Sequence, residues 1–255
     1  MNLLFAGILG LIASLLVNYL SDVLPAQRKL AAPLCAHCNS QYSLKDYLLL
    51  SACRKCGAAR SWRTYISLAA GICISLALWL NPPARMGYWL GLAVLVYFGL
   101  VVVIDFEHRL ILHMVILPGA LLGLLAGTVR TNLVSALLGG LVGFGMMLIF
   151  YGIGILFARY RARKLGRDDG EEALGFGDVT ISAVLGLMLG WPMILYGLTI
   201  GILVGGLISL ALVIILIAAR RYETMTVFTA YGPYLIFGAL LLMYFPQFLA
   251  FLSGK

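Results

Sequence analysis

Long apolar runs separated by short polar breaks organise this chain. They cover roughly 3–20, 64–80, 88–104, 111–128, 133–157, 174–191, 193–217 and 232–252. At 1.5 Å rise per residue, about 20 apolar residues cross the ~30 Å hydrocarbon core of a bilayer, and most of these runs approach or exceed that length. They are continuous rather than alternating, and Gly and Leu dominate over β-branched residues, so helices are expected and barrel strands are not. The pattern predicts an all-α polytopic membrane protein of about eight transmembrane helices. The first run is followed by Ser21-Asp22 rather than a small-x-small cleavage site and has no basic flank before it, so it reads as a retained anchor rather than a signal peptide.

One polar stretch, 21–63, is long enough to fold outside the membrane. The expected division is therefore a first transmembrane helix (1–20), a cysteine-bearing loop (21–63) and a seven-helix membrane domain (64–255). A second charged stretch, 158–174, ends in Arg167-Asp168-Asp169-Gly170-Glu171-Glu172 and reads as a solvated loop, or as a gate leading into the helix that follows. Glycines cluster at Gly139-Gly140, Gly143 and Gly145, and at Gly201 and Gly205, where small residues let membrane helices approach closely. The spacing Gly201-x-x-x-Gly205 also suits a dimer face.

Composition sharpens this picture. A mean hydropathy of +1.02 with 62% hydrophobic residues excludes an ordinary soluble domain. The net charge of +8 invites a nucleic-acid reading, but its distribution argues against one. With eight spans and the N-terminus outside, fifteen of the eighteen basic residues fall in cytoplasmic loops, leaving Arg85, Arg130 and Lys255 outside. The positive-inside rule accounts for that asymmetry, with anionic lipid as the natural neighbour, and no basic-aromatic interleaving of the nucleic-acid type appears.

Cys35-Ala36-His37-Cys38 and Cys53-Arg54-Lys55-Cys56 form two C-x-x-C pairs fourteen residues apart. Each pair can turn both sulfurs toward one ion, and two pairs make a closed tetrahedral site suited to structural zinc. Lys29, Arg54 and Lys55 are placed to stabilise the thiolates. Disulfides are the alternative, disfavoured by the cytoplasmic placement of the loop. Cys73, inside a helical run, is expected in the core.

Acids are scarce, only ten in 255 residues, and two stand out. Asp105 ends the run before it, and Asp178 closes Gly175-Phe176-Gly177-Asp178 just ahead of another. An ionised carboxylate costs ~2.5–3.5 kcal/mol at the centre of a membrane helix on insertion scales, and one beside an apolar run commonly has a task. The alternating topology puts both at the cytoplasmic face. The twelve residues from Val179 to Gly190 are too few to span, so the helix is expected to extend back to Leu174, setting Asp178 about one turn below its start. Two close carboxylates cannot both ionise freely, and a protonated–ionised pair can polarise an amide and deprotonate a water. Gly175 and Gly177 leave space beside Asp178 for an extended backbone. A proton-coupled or cation transporter using Asp105 and Asp178 is the alternative class; it would place charge nearer the bilayer midplane.

These pieces together resemble the prepilin peptidases, the type IV leader peptidases of the G-x-G-D class. The likeness runs through Asn18 and Leu24-Pro25, the four-cysteine loop, Ile104-Asp105, Glu172-Ala173-Leu174-Gly175-Phe176-Gly177-Asp178-Val179, Leu189-Gly190-Trp191 and Tyr231-Gly232-Pro233-Tyr234. The resemblance implies an aspartic endopeptidase with Asp105 and Asp178 catalytic and Cys35, Cys38, Cys53 and Cys56 on zinc. It implies a multi-pass protein of the bacterial inner membrane whose substrates are prepilins or pseudopilins, cut at the cytoplasmic face between a basic leader and an apolar helix. Many members then methylate the new N-terminus with S-adenosylmethionine. Departures from the family pattern, Leu112-His113, Thr180 and the Ser61–Tyr65 stretch, leave the dyad intact, and those near the ribbon fall where the second activity is usually placed. Oligomeric state is left open.

Overall fold

The apolar runs become helices. The computed structural model describes residues 2–35, 37–165, 175–219, 231–245 and 247. Among these, the helices are α1 (Leu3–Gln27), α2 (Leu44–Leu48), α3 (Trp62–Leu80), α4 (Gly87–His108), α5 (His113–Arg130), α6 (Leu133–Leu165), α7 (Phe176–Leu189), α8 (Met193–Ala218) and α9 (Gly232–Tyr244). Six are long and apolar enough to cross a bilayer, and α7 and α9 are shorter apolar helices. All eight expected membrane helices are therefore present, with α2 added inside the cysteine loop. The described residues contain no strand beyond an isolated bridge between Leu34 and Gln41.

Several ends differ from the reading of the runs, each for a local reason. Helix α1 continues past residue 20 to Gln27, carrying Asp22 in its last turns, and stops where Arg28 turns left-handed at φ 51°. Helix α4 includes Asp105 rather than ending before it. Helix α6 runs through the expected loop start to Leu165, since Ala and Arg are good helix formers and Arg163 and Lys164 suit the negative end of the helix dipole. The acidic run 167–172, with the suggested gate, lies outside the described residues.

The chain forms two compact units, Met1–Leu110 and Ile111–Lys255. In the first, α1 and α3 cross antiparallel along a stripe of small and polar residues spaced by four: Gly10, Ser14, Asn18 and Asp22 on α1; Arg63, Ser67, Gly71 and Ser75 on α3. Side chains added at Gly10 or Gly71 would collide, the nearest contacts being Gly71 O at 2.6 Å and Ser14 Cβ at 2.6 Å. The Asn18 amide lies 2.5 Å from Ser67 Oγ, and Ser75 Oγ donates to the Ala6 carbonyl at 2.7 Å. Close backbones and interhelical hydrogen bonds are what hold helices together where lipid tails are as apolar as leucine. An apolar groove of about 270 Å³ is lined by α1, α3 and α4.

In the second unit α7 is the central helix, buried along most of its length from Asp178 to Leu189 and packed by α5, α6, α8 and α9. At 14 residues it is about 21 Å long, and surrounded by protein it has no need to reach both bilayer surfaces. Gly139 and Gly143 of α6 press directly on the backbone of Ser182, Gly186 and Gly190, and Gly140 on the Leu187 side chain. Gly201 and Gly205 pack against Leu235, Tyr231 and Tyr234, so this pair serves the α8–α9 contact inside one chain rather than a dimer face.

Candidate active site and metal centre

The four paired cysteines come together. Their sulfurs all lie within 4.8 Å of one another, as a group that could hold a metal ion. Cys35 and Cys56 are 3.7 Å apart, as are Cys38 and Cys53, and none forms a disulfide. Four thiolates at about 2.3 Å from a central ion have tetrahedral edges of about 3.8 Å, so the donor set fits such an ion. The two halves share one backbone plan. The Cys35 amide donates to Ser40 O and the Asn39 amide to Cys35 O, both at 2.9 Å; the Cys53 amide donates to Ala58 O at 3.0 Å and the Gly57 amide to Cys53 O at 2.8 Å. The turn needs a left-handed residue four places after the first cysteine, and Asn39 (φ 53°) and Gly57 (φ 71°) are types that tolerate it.

This plan aims donors at sulfur. The Cys38 and His37 amides hold the Cys35 thiol below its usual range. The Ser40 hydroxyl, followed by the Cys56 and Lys55 amides, lowers Cys53 to about 5. At Cys56 the Ala58 amide also lowers the thiol, but burial and the three neighbouring sulfurs outweigh it and hold it up at about 12. Four adjacent thiolates repel, and a bound cation cancels that repulsion. The main donors are thus Ser40 and the turn amides rather than the expected basic side chains; Arg54 instead pairs with Asp46 at 2.6 Å. Cys73, expected in the core, is exposed on α3.

The ribbon is fastened to one end of its helices. Cys35, Cys53, Tyr42 and Tyr47 form its buried cluster, with Tyr19 of α1 packed against it. Arg60 stacks between two of these rings, 3.8 Å from the centroid of Tyr47 and 4.4 Å from that of Tyr42. Burial pushes the Tyr42 hydroxyl up to about 12 and that of Tyr47 higher still, so both stay protonated. Tyr47 donates to Asp22, which also accepts from Arg63; the other arm of Arg63 reaches Glu107 on α4. The end of α1, the start of α3 and the end of α4 therefore meet beneath the ribbon. Asp22, Arg60, Arg63 and Glu107 were not singled out in the sequence, although Asp22 and Arg63 continue the four-residue stripes of α1 and α3.

Asp105 lies on this same end, in the last turn of α4 and 5% exposed. Its carbonyl accepts the Arg109 amide at 2.9 Å, and Arg109 closes the helix with φ 51°. Asp178, in the second unit, is 8% exposed. Gly175 is the extended residue that starts α7 (φ −76°, ψ 143°), so Asp178 sits in the first turn rather than a turn below a helix beginning at Leu174. An acid in a first turn suits the positive end of the helix dipole. Ser182 Oγ donates to the Asp178 carbonyl at 2.7 Å and Thr180 Oγ1 to that of Gly177 at 2.8 Å. A Cβ at Gly177 would lie 2.8 Å from Ile111 Cβ; one at Gly175 would meet Asp178 Oδ2 at an ordinary 3.7 Å. Tyr151 and Phe176 stack edge-on at 5.8 Å, steadying the start of α7 against α6.

The profile of the type IV leader peptidase family matches residues 89–210, a stretch that includes Asp105 and Asp178. A prepilin leader peptidase/N-methyltransferase of Aeromonas hydrophila is 32% identical over 213 residues, covering 79% of this chain and 67% of that protein. The chain belongs to the type IV leader peptidase family. A protein of the same description from Dickeya chrysanthemi is 32% identical over 174 residues (62% of this chain, 55% of that one). One from Pseudomonas aeruginosa is 30% identical over 216 residues (80% and 67%). This leader peptidase family member thus spans between about half and two thirds of the length of these relatives. No solved structure matches it significantly. Its family makes it a protease, and its helices make it a multi-pass membrane protein.

Proposed function

We propose that this chain is an aspartic endopeptidase that removes the leader of type IV prepilins or pseudopilins, with Asp105 and Asp178 as its catalytic pair. The observation that carries the reading is that these two scarce acids are each buried at a helix end within the stretch matched to the family. In the reaction the ionised aspartate takes a proton from water as the water oxygen attacks the scissile carbonyl. The protonated partner gives its proton to the carbonyl oxygen. Collapse of the tetrahedral intermediate breaks the C–N bond, and the proton taken from water passes to the departing amine. Gly175 keeps the approach beside Asp178 free of a side chain.

The charge asymmetry supports an orientation with the N-terminus outside and both the ribbon and the acids on the cytoplasmic side of the inner membrane. Cys35, Cys38, Cys53 and Cys56 would hold one zinc ion, which with four thiolates has no open position and supplies folding rather than chemistry. Co-expression with a pilin-like substrate tests the whole reading. Wild type yields the mature form, and Asp105→Asn or Asp178→Asn leaves the precursor intact. Wild-type processing by either variant would refute the pair. The mass of the mature N-terminus reads a methyl group transferred from S-adenosylmethionine in the same experiment.

A further inference from the structure

The ribbon and the turn that bears Asp105 are far apart in sequence, yet four side chains join them. Tyr47, in the buried cluster shared with Cys35 and Cys53, donates to Asp22. Asp22 accepts from Arg63, and Arg63 reaches on to Glu107, two residues beyond Asp105 in the last turn of α4. Arg60, 4.0 Å from Asp22 and stacked on Tyr47, closes the network from the ribbon side. The Arg63–Asp22 pair is partly shielded, with side chains 20% and 24% exposed, while the Glu107 side chain, 37% exposed, leaves the second pair open to water. A guanidinium is suited to this place because its planar fork serves two carboxylates at fixed angles, which a lysine ammonium cannot do. Near a helix end the backbone frays easily, and α4 ends on a left-handed Arg109 only four residues past Asp105.

We infer that Arg63 is a positioning residue for Asp105. By bridging Asp22 and Glu107 it ties the last turn of α4 to the metal-bearing ribbon, so the folded state of the ribbon sets the placement of the Asp105 carboxylate. The inference rests on the reading of Asp105 as catalytic. Arg63 touches no reacting atom and acts through the helix turn alone. A misplacement of the order of 1 Å at a reacting group can cost about a hundredfold in rate, so loosening one turn is enough to be seen.

The test uses the full chain in liposomes with a pilin-like substrate, comparing wild type, Arg63→Gln, Arg63→Lys, Glu107→Gln and Asp105→Asn. Three quantities are read: kcat and KM, bound metal, and hydrogen–deuterium exchange of the peptide covering 100–108. Glu107→Gln should keep its metal and its KM, lower kcat about tenfold or more, and raise exchange in the α4 peptide. Arg63→Lys should fall between wild type and Arg63→Gln. Stripping metal from wild type with a chelator should raise exchange in the same peptide, whereas stripping it from Glu107→Gln should add little there. If Arg63→Gln fails to fold, Arg63→Lys and Glu107→Gln carry the comparison. Wild-type kcat in Glu107→Gln, or equal increments of exchange on chelation with and without Glu107, would overturn the inference. Cleavage by Asp105→Asn would instead remove the catalytic reading beneath it, and is separately visible.

Discussion

At the scale of single residues, the chain uses ordinary types in places that only the fold makes special. Arg60 belongs to a run of basic residues that reads as topology, but folding slots it between two tyrosine rings. Cation–π contacts contribute ~0.5–2 kcal/mol each, more when desolvated, so Arg60→Ala should lower the thermal midpoint of the metal-bound protein, with Arg60→Lys intermediate. Equal midpoints for all three would show that the stacking contributes nothing. Gly177 has a similar lesson. Its place in Gly-x-Gly-Asp is visible in the sequence, but its contact with Ile111 is not. Gly177→Val should destabilise the protein by ~1–3 kcal/mol through overpacking, measured by chemical denaturation in detergent. The thiols add a pH dependence. Cys53 titrates at about 5 in the folded protein against an ordinary value near 9. For an acid lowered in this way, the stabilisation is complete above 9 and is lost as pH falls through 5. Acid that protonates the thiolates competes with a bound ion, so metal retained after dialysis should fall as the pH is lowered from 7; full retention at pH 4 would contradict this.

At the scale of elements, the existence of the helices was legible and their ends were less so. Apolar runs mark where lipid begins, whereas α1, α4 and α6 continue beyond it because specific partners or good helix formers hold their last turns: Asp22 by Arg63, Glu107 by Arg63, and Ala158 to Leu165 by propensity. The cysteine spacing announced that Cys35, Cys38, Cys53 and Cys56 would gather as one group. The electrostatics that lower its thiols come from Ser40 and turn amides, which no spacing rule specifies. The α1–α3 stripe was written in the chain as small or polar residues every four positions, a signal that only means something once the two helices are known to pair. Gly71→Leu should break that crossing and leave the protein unstable or aggregated, whereas Gly145→Leu, at a glycine with open space around it, should be tolerated. Comparing yields of folded protein after size-exclusion chromatography separates the two; equal yields would count against the stripe.

At the scale of the whole molecule, two acids separated by 73 residues of sequence are asked to act as one group. Their scarcity and their places beside apolar runs made them visible from the start; their burial at helix ends, the antiparallel frame that sets Asp105 beneath the ribbon and the central placement of α7 give each a fixed setting. What the sequence did not reveal is the support: Asp22, Arg63 and Glu107 come from three helices and meet only in the fold. The catalytic claim itself stands or falls on proteolysis. Purified wild type, Asp105→Asn and Asp178→Asn should be given the same pilin-like precursor in liposomes, with cleavage followed over time. The account predicts that each substitution lowers the rate by at least about a thousandfold while metal content and thermal midpoint stay at wild-type values. Cleavage by either variant within a few-fold of wild type would contradict it.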